Sequence, residues 1–231
     1  MKNIVEKVTI IIKSLVVFFL FYNSVIFQYI PVLLFHISKD SLKGNLRMAV
    51  LLVSFADLIL LFIYLMIYRK DLIMEFKTFK NKLLENINTG FVCWLVGLFI
   101  MFASNMILIS VFHSEGANNE IIVRSMVDAF PLMMGLNVCL LAPIIEEIAF
   151  RKTLKDIFKN KYLFVFASFL LFGLAHVTSQ ATSIIDWLYI IPYGSLGGLF
   201  AYAYHKTDTL FTSVMFHMIH NTIVFCLILF I

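Results

Sequence analysis

Charge is what this sequence has least of. Of 231 residues only 18 are Lys or Arg and 14 are Asp or Glu, a charged fraction of 14% against 61% hydrophobic residues. A water-soluble domain of this length carries more polar surface, so a soluble fold is excluded and a polytopic helical membrane protein remains. The net charge of +4 is small and gathered in short segments, which argues for membrane topology and against nucleic-acid binding. Cysteine is scarce too. Cys93, Cys139 and Cys226 each lie inside an apolar run, form no CxxC pattern, and read as small hydrophobes with no disulfide framework. No internal repeat or low-complexity linker interrupts the chain, so a single structural domain is expected.

What the chain has is apolar length. Stretches long enough to span a bilayer occur near Ser14–Ile37, Met48–Tyr68, Phe91–His113, Phe130–Phe150, Tyr162–Val177, Ile184–Tyr204 and Leu210–Ile231, and the mean hydropathy is +0.95. The fold class is therefore all-α, a transmembrane helical bundle of about seven spans. The first run could pass for a signal peptide, but it lacks a small-residue cleavage site and is too long, so it counts as a span. Arg69, Lys70, Lys77, Lys80 and Lys82 mark segment 69–82, and Arg151, Lys152, Lys155, Lys159 and Lys161 mark segment 151–161. By the positive-inside rule both face the cytoplasm. The loop 38–47, with Lys39, Lys43 and Arg47, fits that alternation poorly.

Polar residues inside the apolar runs are the candidates for chemistry. Asp57 lies alone in the second run, and satisfaction by a neighbouring helix is the favoured reading. Asn23, Asn105 and Asn137 read as interhelical hydrogen-bonding groups. Gly194 and Gly198 form GxxxG, and Gly197 with Ala201 repeats the small-residue spacing, a face suited to close helix packing within the molecule more than to dimerisation.

The late helices carry more. Glu146 and Glu147 are adjacent near the end of the fourth run, with Arg151 four residues beyond the second. Neighbours on a helix point about 100° apart, so the two glutamates take different roles. Glu147 and Arg151 are spaced for an ion pair, which leaves Glu146 facing the interior, where a carboxyl among apolar groups can act as a base near neutral pH. Pro143 should interrupt the helix before them. Alone, the three charges could equally mark a helix end at the interface. Phe172 and His176 form a second pair one turn apart, and His217 and Asn221 a third, with His220 beside them. A carboxylate, a histidine on the next span, and a histidine with an asparagine on the last describe one convergent polar pocket between the later helices. The local patterns of several intramembrane enzyme classes are missing: no HExxH, no GxSG, no GxGD, and the run GSLGG at Gly194 does not match the serine pattern.

Glu146-Glu147-xxx-Arg151, Phe172-xxx-His176 and His217-xxx-Asn221, in this order on successive late helices, resemble the three motifs of the CPBP family. That family comprises CAAX prenyl endopeptidases of the Rce1 type and the bacteriocin-processing or self-immunity proteins also called Abi. The resemblance covers the last hundred residues, giving a division into N-terminal helices at 1–120 and a catalytic core at 121–231. It implies an intramembrane endopeptidase in which Glu146 is the general base, His176 its partner, and His217 with Asn221 the oxyanion donors. Glu147, Arg151 and Phe172 support them, and His220 receives no role.

No cofactor is required in the preferred reading. The alternative is a divalent metal such as zinc held by Glu146, His176 and His217, a known ligand class. The expected partner is a peptide or membrane-associated protein substrate within the lipid bilayer, with no nucleic acid. Residue usage rich in Lys, Ile, Phe and Asn points to a bacterial plasma membrane, where a prenylated C-terminus is not expected, and the family resemblance then implies a bacteriocin, pheromone or leader peptide. A non-proteolytic immunity or scaffold protein on the same fold is the alternative function, and a proton-relaying transporter the third.

One geometric condition follows. A fourth helix ending at Phe150 would leave Glu146 about 6 Å from the interface, whereas His176, counted from Lys161, lies about 22 Å deep. The helix is therefore expected to continue through about Phe158, with Lys152, Lys155 and Asp156 lining a hydrated vestibule.

Overall fold

The computed structural model describes residues 2–114 and 116–230. Met1, Glu115 and Ile231, the last being the expected end of the seventh span, lie outside them. Among the described residues there are helices and turns and no strand. The helices are α1 Lys2–Tyr22, α2 Val25–Leu34, the single turn α3 Lys39–Leu42, α4 Leu46–Asn81, α5 Leu83–Phe112, α6 Asn118–Ala129, α7 Pro131–Ile157, α8 Lys161–Val177, α9 Ile190–Thr207 and α10 Leu210–Phe230. A 3-10 turn, Asp186–Tyr189, precedes α9.

The expectation of an all-α membrane bundle holds; the count of seven spans does not carry over. Four helices, α4, α5, α7 and α10, are long and apolar enough to cross a membrane, and α1 with α2 makes a fifth only as a pair bent by 60°. Asn23 sits at that bend. Its side-chain amide donates to the Phe19 carbonyl of α1 at 2.8 Å and makes no interhelical hydrogen bond among the described residues, a correction to the expectation. Helix α8 is shorter, at 17 residues. The segment 69–82, expected as a loop, is mostly helix: α4 runs for 36 residues, about 54 Å at 1.5 Å per residue, well beyond a hydrocarbon core of about 30 Å. Its buried stripe explains why it continues. Leu52, Ala56, Leu60, Tyr64, Tyr68 and Leu72 recur every four residues and face the core without a break at the apolar boundary.

Two features position the later helices. Helices α8 and α9 pack with their backbones almost touching: a Cβ on Gly194 would lie 2.8 Å from the Phe169 carbonyl oxygen, and one on Gly197 would lie 2.9 Å from Phe172 Cβ. The small-residue face is thus consumed inside the molecule. Helix α7 runs to Ile157 as the depth argument requires, which puts Glu146 about 16 Å from its end. It is not a uniform α-helix. Pro143 has no N–H to offer the carbonyl four residues back, and the chain answers with a π segment over Asn137–Leu141. A second π segment, Ile148–Lys152, follows the glutamates. Side-chain hydroxyls take carbonyls there: Thr153 donates to Ile148 at 2.9 Å, and Ser168 of α8 donates to Phe150 at 2.8 Å.

Candidate active site

The π segment at Asn137–Leu141 is tied to α4. Asn137 donates to Asp57 Oδ2 at 2.8 Å, so the aspartate that stands alone in the second apolar run is satisfied by a neighbouring helix as its isolation there suggests. One turn on, the helix presents Glu146 and Glu147 toward α10. Glu147 is wholly buried, and its Oε1 lies 3.3 Å from Arg151 Nη1, the ion pair read from the spacing. The same Oε1 accepts a hydrogen bond from His217 Nδ1 at 2.9 Å, which was not anticipated. His217 Nε2, on the far side of the ring, lies 3.6 Å from Glu146 Oε2. That gap is too long for a direct hydrogen bond, but both atoms fall within reach of a single water molecule. Glu146 keeps 17% of its side chain exposed where Glu147 keeps none, so only the first glutamate is open to a reactant.

Aromatic rings wall the site. The Arg151 guanidinium stacks over Phe172 at 4.2 Å and lies 5.8 Å from Phe200. His217 meets Phe172 edge-on at 5.8 Å and Phe200 at 5.4 Å. Phe172 therefore supports both the cation and the imidazole, and its position four residues before His176 is not its only constraint. Nε, Nη1 and Nη2 of Arg151 and Oε2 of Glu147 are buried without a hydrogen-bond partner among the described residues. Ring stacking and one ion pair hold this cation, in surroundings where unmet donors are costly.

Two expected members stand apart from the pair. His176 Nδ1 bonds the Phe172 carbonyl at 2.9 Å and its ring stacks on Tyr193 at 4.6 Å. It lines a small polar cavity with Asn118, Asn119 and Gln180, and no hydrogen bond or ion pair joins it to Glu146 among the described residues. Asn221, one turn beyond His217, donates to the Val138 carbonyl at 2.9 Å. Glu146, His176 and His217 do not form a metal-ligand set: no group of three or more His, Cys, Asp or Glu with that geometry occurs among the described residues. The first imidazole has one nitrogen committed to a carbonyl and the second has one committed to Glu147.

The vestibule expected at Lys152, Lys155 and Asp156 is a closed polar clamp. Lys152 is buried and meets Asp156 at 3.0 Å, Glu75 at 3.5 Å and Asp71 at 3.9 Å. Lys155 bonds Asp208 at 2.9 Å and covers the Tyr204 ring at 3.8 Å. Carboxylates on α4 and at the α9–α10 junction draw these lysines in, which sequence spacing along α7 alone does not reveal.

The family model for "Type II CAAX prenyl endopeptidase Rce1-like" matches residues 128–223, the segment holding every residue of the Glu146–His217 arrangement. The chain is also 27% identical over 157 residues to "Putative membrane peptidase YdiL" of Bacillus subtilis (strain 168), covering 64% of this chain and 60% of that protein. It thus spans less than two thirds of the relative's length. No solved structure matches it. The matched segment begins near the end of α6 and stops within α10, so α4 and α5, which pack against it, lie outside the match.

Proposed function

We propose that this protein is an intramembrane endopeptidase that hydrolyses a peptide bond with a water activated at Glu146. In this reading Glu146 Oε2 takes a proton from the water, the water oxygen adds to the carbonyl carbon, and the same proton passes to the leaving amine as the C–N bond breaks. His217 Nε2 and the second amide hydrogen of Asn221 donate to the oxygen that gains charge, a stabilisation typically worth about 3–4 kcal/mol per donor. The donor role requires a proton on Nε2 in addition to the Nδ1–H given to Glu147, so the acting ring is an imidazolium, steadied by Glu147 from its other nitrogen. Arg151 holds Glu147, and Phe172 holds Arg151. We assign no step to His176 while its Nδ1 is committed to the Phe172 carbonyl and its ring to Tyr193. The substrate class is a peptide or membrane-associated protein, and a bacterial leader, pheromone or bacteriocin peptide is the preferred kind.

The observation that carries the reading is the bracketed imidazole, with its two nitrogens facing two adjacent glutamates of unequal exposure. The experiment is hydrolysis of a library of membrane-anchored fluorogenic peptides by the full chain in liposomes. Glu146→Ala and His217→Ala are expected to abolish turnover at unchanged folded levels. Turnover that survives Glu146→Ala overturns the reading; protection against a bacteriocin retained by both variants establishes the immunity or scaffold function in its place.

A further inference from the structure

Glu75 lies on the extension of α4, outside the Rce1-like match, yet it binds three of the helices that frame the site, α7, α9 and α10. Its Oε1 accepts from the Tyr204 hydroxyl of α9 at 2.8 Å, and its Oε2 accepts from the backbone N–H of Leu210, the first residue of α10, at 2.8 Å. Its own carbonyl accepts from Thr209 Oγ1 at 2.9 Å, and that oxygen in turn accepts from the N–H of Phe211 at 3.3 Å. Lys152 of α7 stands 3.5 Å away, next in sequence to Arg151.

We propose that Glu75 is a positioning residue for His217. The first N–H groups of a helix have no partner within it, and Leu210 and Thr209 are buried, so water does not replace the carboxylate. A negative group at this end also suits the helix dipole. His217 follows Leu210 by seven residues, two turns later on the same face and about 10 Å along the axis. Glu75 therefore sets both the height and the rotation at which α10 presents the imidazole. Through Lys152 it ties that setting to α7, which carries Glu146 and Glu147. The Glu147–His217 bond at 2.9 Å joins two helices, and Glu75 is the group that pins both of them below it. The catalytic meaning of this role rests on the peptidase reading, but its geometric content does not.

The test uses the full chain in nanodiscs with 15N-labelled histidine, the His217 signals being identified by their loss in His217→Gln. Glu75→Ala is expected to lose the low-field Nδ1–H signal of the His217–Glu147 bond. Glu75→Gln, whose side-chain carbonyl still accepts from Leu210 N–H, is expected to restore it. With a cleavable peptide, Glu75→Ala should lower kcat on the order of tenfold to a hundredfold at nearly unchanged KM, with Gln recovering most of the loss. A Glu75→Ala protein that melts earlier but keeps the wild-type His217 signal overturns the proposal and leaves Glu75 a stability residue. If Glu75→Ala does not fold, Tyr204→Phe decides, since it removes one donor to the carboxylate and should move the same signal; an unmoved signal overturns the proposal. If wild type cleaves nothing, the peptidase reading fails while the spectrum still decides on Glu75.

Discussion

Arg151 and Lys152 are neighbours in the chain, both buried, and their surroundings follow opposite rules. Arg151 points to the centre of the bundle, where one ion pair and two phenyl rings hold it and its three side-chain nitrogens make no hydrogen bond among the described residues. Lys152 points to the end of the bundle, where three carboxylates surround one ammonium. The difference follows the chemistry of the cations. A guanidinium is weakly hydrated and stacks on aromatic faces; an ammonium is a compact, strongly hydrated charge that needs oxygen around it. Adjacent positions on a helix point in well-separated directions, and the two side chains reach two different clusters. One cluster is under-satisfied and next to a half-open glutamate, the pattern expected of a site that must accept a reactant. The other is saturated, as structural anchors are.

That contrast can be broken. The largest effect is expected from Glu147→Ala, which strands the Arg151 charge and should cost roughly 3–5 kcal/mol, read as a shift of the SDS-unfolding midpoint in micelles. Adding Arg151→Met to Glu147→Leu should recover most of that stability without restoring hydrolysis. Failure of the double variant to recover would mean the pair contributes more than compensation. Lys152→Met should cost less, about 1.5–3 kcal/mol, because Glu75 retains its two donors and Asp156 is partly exposed. A cost equal to that of Glu147→Ala would erase the distinction between the clusters.

Two smaller changes sharpen it. Asn137→Leu removes the donor to Asp57, and in micelles it should cost about 0.6 kcal/mol and at most about 1.7, the range of interhelical hydrogen bonds in membranes. Asp186, in the loop between α8 and α9, gives the smallest effect. Backbone N–H groups of Thr182 and Ser183 donate to its carboxylate at 2.7 and 2.8 Å and hold its pKa below the usual carboxylate range. A depressed value means that the stabilisation is present above the ordinary aspartate pKa of about 3.9 and disappears as pH falls through the lowered one. Hydrogen exchange of the Thr182 and Ser183 amides should quicken in Asp186→Asn at neutral pH, and in wild type only in strong acid. An unchanged exchange rate in the variant would remove the carboxylate from that account.

Much of the fold can be read along the chain because apolar length and four-residue spacing are local properties. The run of α7 to Ile157 follows from Leu154 and Ile157 on its apolar side, and the closeness of α8 and α9 from Gly194 and Gly197. The same cues misjudge α4. Five cations after Tyr68 look like a loop, although Leu72 keeps the buried stripe going and Glu75 lies three residues on. The bend between α1 and α2 is equally hard to see, since only Asn23 and Ser24 interrupt an apolar run. At the site, the motif residues identify themselves by being polar in apolar helices. Their partners do not. The 100° between Glu146 and Glu147 suggests separate tasks, yet one imidazole offers nitrogens on two sides, and the two carboxylates bracket it.

The sequence by itself determined a helical membrane bundle, the ion pair of Glu147 with Arg151, and which polar residues of the last hundred are candidates for chemistry. These depend on hydropathy and on spacings within single helices. Only the tertiary structure decided that His217 joins Glu147, that His176 turns to Phe172 and Tyr193, and that Lys152 is closed in by Asp71 and Glu75. Those choices depend on how far each helix is rotated and raised against its neighbours. Rotation and height are set chiefly by contacts between residues 70 to 135 positions apart, such as Glu147 with His217 and Glu75 with Leu210, which no local pattern encodes.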